Sequence, residues 1–272
     1  MINVLIPTDF SEYSANAIRY ASEYFTDEQV NFFIMHVLKS THETAEFYDP
    51  SEPMVVDAPV KLIDKHLRTL NMQKNKKHKF FSVYEKESLV EAVRRQVNLR
   101  RINLIVMGTK GFLRLEKESV ISHTYQVITK VQCPIMVIPE HATFSKKMDV
   151  SFVTDFNSMY RNEVLQRLTL TLETHNSPLR ILKPRMKRRP LTTTQIENKQ
   201  FINTYFQDWK HSFHFLKNEN LEYGIQQFVQ EYNIGMIAIP ARNLNFIQKL
   251  LLRTYSDEIS YHLEVPFFVI HE

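Results

Sequence analysis

The chain has 272 residues, 43% of them hydrophobic and 24% charged, with a formal net charge of +4. These proportions are globular and exclude a largely disordered chain or a coiled coil. The charge is spread evenly along the chain, where a nucleic-acid binder would concentrate it. A single cysteine, Cys133, excludes an intramolecular disulfide and a multi-cysteine metal site within one chain.

No apolar run approaches the roughly 18–20 residues of a bilayer span. The opening MINVLIPTDFSEYS has no basic stretch and no small-residue cleavage site of a secretion signal. The expectation is a cytoplasmic protein without a membrane anchor. At roughly 100–200 residues per domain, two ordinary domains are expected.

In chain order, β-branched and aromatic apolar runs predict strands near 2–7, 31–38, 79–84, 103–107 and 134–138. Helical spacing predicts helices near 12–25, 58–74, 88–98 and 120–131, with Leu89, Val93 and Val97 as one apolar stripe. The segment 40–57 reads either as a lid or binding loop or as a partly helical insertion. A polar linker follows at Glu140–Met148. Strands are predicted again near 150–154, 178–183, 212–216, 235–239 and 267–270, with helices between them. Five strands alternating with about four helices imply an α/β fold, a parallel doubly wound sheet covered on both faces, once per half.

The halves repeat each other. VLIPTDFSEYS (4–14) matches VSFVTDFNSMY (150–160), which places Asp9 and Asp155 146 residues apart. INLIVMGTKG (102–111) matches IGMIAIPARN (234–243), and each half closes on a strand begun by proline, Pro134 or Pro266. The expected domains are 1–140 and 148–272.

Ligands of an open parallel sheet sit at the carboxyl ends of its strands. Here those tips are Pro7-Thr8-Asp9, His36-Val37 and Met107-Gly108. Asp9 either accepts hydrogen bonds from a ribose hydroxyl or an adenine edge, or caps the next helix. The chain has only 4 glycines, and Gly108 and Gly111 stand in one four-residue loop, where backbone N–H groups can approach an anion closely. Lys110 either adds charge there or is solvated. Ser122 and Thr124 open the next predicted helix, whose free N–H groups favour an anion or are capped by these hydroxyls. The basic runs 74–79 and 183–190 read as solvated loops or as polyanion contacts. His211 and His214, three apart on a strand, point to opposite faces and make a poor metal pair. No metal site is expected. Cys133 reads as a packing residue.

These residues resemble the universal stress protein family. The strand ending PTDFSE, the strand ending IVMGTKG, nine residues, a serine and the helix leading to CPIMVIP carry the resemblance, once per half. It implies a tandem protein with sheets of strand order 3-2-1-4-5 that pair as an intramolecular pseudo-dimer through their last strands, with a homodimer as a further assembly. It places Asp9 near adenosine with Pro7 and Thr8 beside it, and Val37 at a backbone contact to adenine. Gly108 and Gly111 fall on the phosphate loop beside Met107, with Ser122 at the hydroxyl position and Thr124 two places on. Ile121 stands where the family has its third glycine. In the second half Pro240, Asn243 and Arg253 replace all three glycines, while Asp155 and Thr254 remain. Arg253 either holds a small anion or is a surface residue.

The resulting expectation is a stress-response regulatory protein that binds an adenine nucleotide, ATP or AMP with magnesium, in its first half. The affinity should be on the order of micromolar or weaker. The alternative is a nucleotide-free scaffold or interaction protein. Nothing indicates an enzyme beyond slow ATP hydrolysis, since no Walker A loop, nucleophile elbow or HExxH motif is present. Protein partners are not specified by the residues.

Overall fold

The computed structural model describes residues 1–38, 63, 65, 67, 68, 75–109, 123–184, 190–216, 221–243 and 264–271. Its first half contains β1 (Ile2–Pro7), α1 (Glu12–Tyr24), β2 (Val30–Val37), β3 (His78–Glu85), α2 (Leu89–Leu99), β4 (Leu104–Thr109), α3 (His123–Lys130) and β5 (Ile135–Pro139). The second contains β6 (Asp149–Val153), α4 (Asn162–His175), β7 (Leu179–Lys183), α5 (Thr193–Tyr205), β8 (His211–Phe215), α6 (Leu221–Glu231), β9 (Ile234–Pro240), a 3₁₀ turn at Ala241–Asn243 and β10 (Phe267–Ile270). Each predicted strand is present to within two residues. The predicted helix 58–74 lies mostly outside the described residues, although Ile63 and Leu67 are helical and buried in the core. The segment 40–57 lies wholly outside them.

The strands form one sheet of order β3-β2-β1-β4-β5-β10-β9-β6-β7-β8. Each half therefore has the order 3-2-1-4-5, with its own strands parallel. The two five-stranded halves pair through their last strands, as expected, and together make one continuous ten-stranded sheet. The physical reason lies at the seam. β5 and β10 each end a half-sheet with a row of unpaired N–H and C=O groups, and such edges seek partners. They pair antiparallel, Val137 with Phe267 and Ile135 with Val269, so each edge satisfies the other.

Central strands such as β1 and β5 are buried on both faces, which explains their unbroken apolar runs. Their side chains divide between two cores. Val4 and Ile6 join α1, α4 and α5 on one face, while Leu5 joins α2, α3 and α6 on the other. The edge strand β3 instead alternates exposed and covered positions over its first half. No described helix is long and apolar enough to cross a membrane.

Caps follow from local chemistry. The Ser11 side chain accepts the Ser14 amide at the start of α1. Thr192 and Gln195 form a reciprocal capping box on α5. Asn176 ends α4 in the left-handed conformation, a position where asparagine is tolerated.

The linker is part of the packing. Asn16 donates to the carbonyls of Pro139 and Ala142, both at 3.0 Å. Phe144 packs edge-on to Tyr20 and Tyr24 of α1 and against His175 of α4. At the far end, His271 Nε2 lies 2.8 Å from the Ile128 carbonyl of α3, which ties the end of the second half to the first.

Candidate functional site

The chain winds from β1 outward to β2 and β3, then returns to the other side of β1 as β4. The order reverses between β1 and β4, and that point of an open α/β sheet is where ligands lodge. Pro7 pairs with Met35, and the Thr8 amide donates to the Met35 carbonyl at 2.8 Å, so the chain leaves the sheet at Asp9. Gly108 stands at the corresponding end of β4, paired with Ile138, with buried Met107 before it.

The Thr-Asp-Phe turn is a defined structure made twice. Thr8 Oγ1 accepts the Phe10 amide at 3.0 Å, and Thr154 Oγ1 accepts the Phe156 amide at 3.0 Å. Phe10 and Phe156 sit at φ 65° and 59°, a left-handed geometry that is uncommon for a bulky residue. Arg101 and Asn233, each just before the fourth strand of its half, repeat the pattern at φ 48° and 50°. The repeat therefore extends to the strained backbone positions. In both halves the threonine hydroxyl also binds into the following helix region, to Ser14 at 3.0 Å or Tyr160 at 2.7 Å.

Of the two roles open to Asp9, helix capping falls to Ser11. Asp9 is exposed and supports that cap: its Oδ1 accepts the Ser11 amide at 3.1 Å and the Ser11 hydroxyl, and its Oδ2 accepts the Tyr13 phenol. Burial pulls the Asp9 pKa upward, but the donors of Ser11 and Tyr13 outweigh it and hold the carboxyl below its ordinary value. It is thus an anion at neutral pH. Tyr13 moves the other way. Burial and then the Asp9 contact raise its pKa, so the phenol keeps its proton. Beside them His36 Nδ1 lies 2.8 Å from the Thr8 carbonyl, and its ring is 4.6 Å from that of Phe10.

Gly108 has a steric reason to be glycine. A Cβ there would stand 2.2 Å from the Tyr13 carbonyl oxygen and 2.9 Å from the Ser14 amide nitrogen. The first turn of α1 thus presses against the end of β4, which brings Asp9, Tyr13 and Gly108 into one cluster. Val37 ends β2, paired with Glu85, and Thr124 is buried in the first turn of α3. Gly111 and Ser122, with Lys110 and Ile121, lie outside the described residues. So do Arg253 and Thr254.

The second half is built differently at the same place. Pro240 pairs with Ile270 as Gly108 does with Ile138, and the chain then turns through Ala241–Asn243. Arg242 reaches back, donating to the carbonyls of Ser158 and Met159 at 3.1 and 2.9 Å, with its guanidinium 3.9 Å from the Tyr160 ring centre. Lys183 and Gln195 both donate to the Asp155 carbonyl at 3.1 Å. Asn198 also donates to the Phe156 carbonyl at 2.8 Å, so side chains from several elements bind the turn that carries Asp155.

Sequence reasoning missed Ser11, Tyr13 and Arg242. Tyr13 had a readable signal, since a residue four after Asp9 falls in the first helical turn. His211 and His214 do face opposite ways, the first toward Asn203 of α5 and the second toward Phe228 of α6 and Tyr232 just after it. Among the described residues no group of three or more His, Cys, Asp and Glu side chains could hold a metal. Cys133 is buried, and its thiol is pushed up to about 12 by burial, with Arg167 opposing.

A model of the universal stress protein family matches residues 1–139. Among solved structures, a universal stress protein from Archaeoglobus fulgidus DSM 4304 shares 13% identity at a TM-score of 0.64, over 99% of this chain and 98% of that one. A putative universal stress protein from Pseudomonas aeruginosa UCBPP-PA14 shares 9% identity at a TM-score of 0.54, over 99% and 92% of the two chains. A family protein from Arabidopsis thaliana, solved with AMP bound, shares 13% identity over 52% of this chain and 94% of that one, at a TM-score of 0.36. A comparison with curated proteins finds no match. The two whole-length likenesses carry the ten-stranded fold, and with the family match on its first half the chain belongs to the universal stress protein family.

Proposed function

We propose that this chain is a stress-response regulatory protein whose first half binds one adenine nucleotide, ATP or AMP, and whose second half binds none. The observation that carries the reading is the placement of Asp9 and Gly108 at the carboxyl ends of β1 and β4, the adjacent strands between which the winding reverses. An ionised carboxylate there accepts hydrogen bonds from a nucleoside. Glycine at the strand end lets the first turn of α1, which follows Asp9, pack directly against β4. Pro7, Thr8, Val37 and Met107 complete the nucleoside side of the site. Gly111, Ser122 and Thr124 supply the phosphate side, with magnesium accompanying a triphosphate. The functional units are residues 1–140 and 148–272. Pro240 and the Arg242 bridge support the loss of binding in the second unit, because proline lacks an N–H donor and the arginine is bound to the turn that follows Asp155.

Calorimetric titration of the full chain with ATP and with AMP, in magnesium, tests this. One site per chain with a micromolar or weaker affinity is expected, and Asp9→Ala should abolish it. Absence of heat with the intact protein would sink the reading.

One observation favours a second reading, a nucleotide-free scaffold: the Asp9 carboxylate is already engaged by Ser11 and Tyr13. A purified sample without excess absorbance at 260 nm, and with no thermal shift on adding nucleotides, would select the scaffold.

A further inference from the structure

Tyr13 stands in the first turn of α1 and donates its phenol to Asp9 Oδ2. Oδ1 of the same carboxylate takes the amide and the hydroxyl of Ser11. A carboxylate offers about four acceptor positions. One is therefore left, on Oδ2. The two neighbouring hydroxyls of a ribose need two.

We propose that Tyr13 sets the affinity of the first-half site, because its phenol occupies the acceptor position that a ribose diol requires and must leave when a ribonucleotide binds. The inference rests on the nucleotide reading above and deepens it. The Ser14 side chain also bears on this carboxylate, but it is buried and tied to Thr8 and Ser11. Of the groups that bond Asp9, Tyr13 is the one free to yield. The Ser11 amide is backbone, and the Ser11 hydroxyl also caps α1. The Tyr13 ring is only half-buried, and its carbonyl, not its phenol, is what presses on Gly108. The second half lacks this device. Asp155 there accepts the Asn157 amide at 2.9 Å and the Asn157 side chain at 2.7 Å, and an exposed Met159 holds the place of Tyr13. The competing phenol thus belongs to the half whose strand end has kept its glycine.

Consequently a nucleotide with both ribose hydroxyls competes with Tyr13, whereas one without them does not. The test is Tyr13→Phe, which removes only the hydroxyl, titrated calorimetrically against ATP and 2′,3′-dideoxy-ATP beside the unaltered chain. The variant should bind ATP roughly tenfold more tightly, the scale of one hydrogen bond to a charged group, and dideoxy-ATP unchanged. Its melting temperature confirms folding, and NMR titration of Asp9 should show its pKa rising once the phenol is gone. An unaltered chain that binds ATP beside a Tyr13→Phe variant of equal or lower affinity would overturn the role of Tyr13 and leave the nucleotide reading standing. A gain that persists with dideoxy-ATP, or an Asp9 pKa that does not move, would overturn it as well. If neither protein binds any nucleotide, both readings fall together.

Discussion

The carbonyl oxygen of Tyr13 lies 2.2 Å from where a side chain at Gly108 would begin. This contact brings the amino end of α1 against the carboxyl end of β4. It therefore sets the spacing between the Asp9 turn and the carboxyl end of β4. The atom in the way is backbone, so relief requires moving the helix or the strand. Gly108→Ala should destabilise the fold by about 1–3 kcal/mol, the usual cost of overpacking. Urea unfolding would measure it, and a variant as stable as the parent would show that the contact relaxes freely.

Arg242 bridges the end of β9 to the turn that precedes α4 in the second half. Arg242→Ala removes two hydrogen bonds to backbone carbonyls and the contact with the Tyr160 ring. At ~0.5–1.5 kcal/mol per hydrogen bond and ~0.5–1 kcal/mol for an exposed cation–π contact, a loss of about 1.5–4 kcal/mol is expected. Nucleotide stoichiometry should stay at one per chain, because Pro240 still denies the loop a donor. A second site appearing in calorimetry would refute this assignment of roles.

Acid should loosen the contact between α1, the linker and α4 through His175. Burial, and then the nearby Lys146, depress its pKa below the ordinary 6.5, while Asp27 opposes. Its ring packs between Tyr24 and Phe144, and its Nε2 is buried without a hydrogen-bond partner. A histidine whose folded pKa is lowered is neutral in both states above 6.5 and contributes no pH dependence there. As pH falls below 6.5 the unfolded chain takes up the proton first, so stability declines until the folded pKa is passed. His214 and His271 are shifted the same way, also chiefly by burial. Melting temperature should therefore drop between pH 7 and pH 5, and His175→Phe should make that drop shallower. An unchanged slope in the variant would remove His175 from the account.

Cys133 should be inert in the native protein. A thiol raised to about 12 by burial is almost wholly protonated at pH 8, and the thiolate is the reactive form. A maleimide or disulfide reagent should label it only at the rate of unfolding. Rapid stoichiometric labelling of the folded chain would contradict this.

Much of the architecture was legible because it rests on short-range pattern. The alternation of apolar runs and helical stripes located the strands, and the two Thr-Asp-Phe segments announced a repeat. That repeat proved to include a threonine hydroxyl supporting a left-handed phenylalanine in each half. The site was less legible. Asp9 is readable as a strand-tip acid and the spacing of Tyr13 four residues on is readable too, but which donors its carboxylate takes is not, since a side-chain hydrogen bond leaves no trace in composition. Arg242 was passed over for Arg253 because motif spacing drew attention to the glycine positions and away from the residue that reaches across to Ser158.

By itself the sequence determined the local conformations and the duplication. Burial periodicity, capping chemistry and a shared motif act over a few residues, and these are written directly in the order of side chains. The resemblance implied that the halves pair through their last strands, and the structure shows that pairing to be antiparallel, between β5 and β10. The tertiary structure alone decided that Gly108 is packed against the helix carrying Tyr13 and that Arg242 reaches back to Ser158 and Met159. Each of these is a contact between segments about a hundred residues apart. Such contacts depend on where chain crossings bring backbone and guanidinium together, and no local preference specifies that.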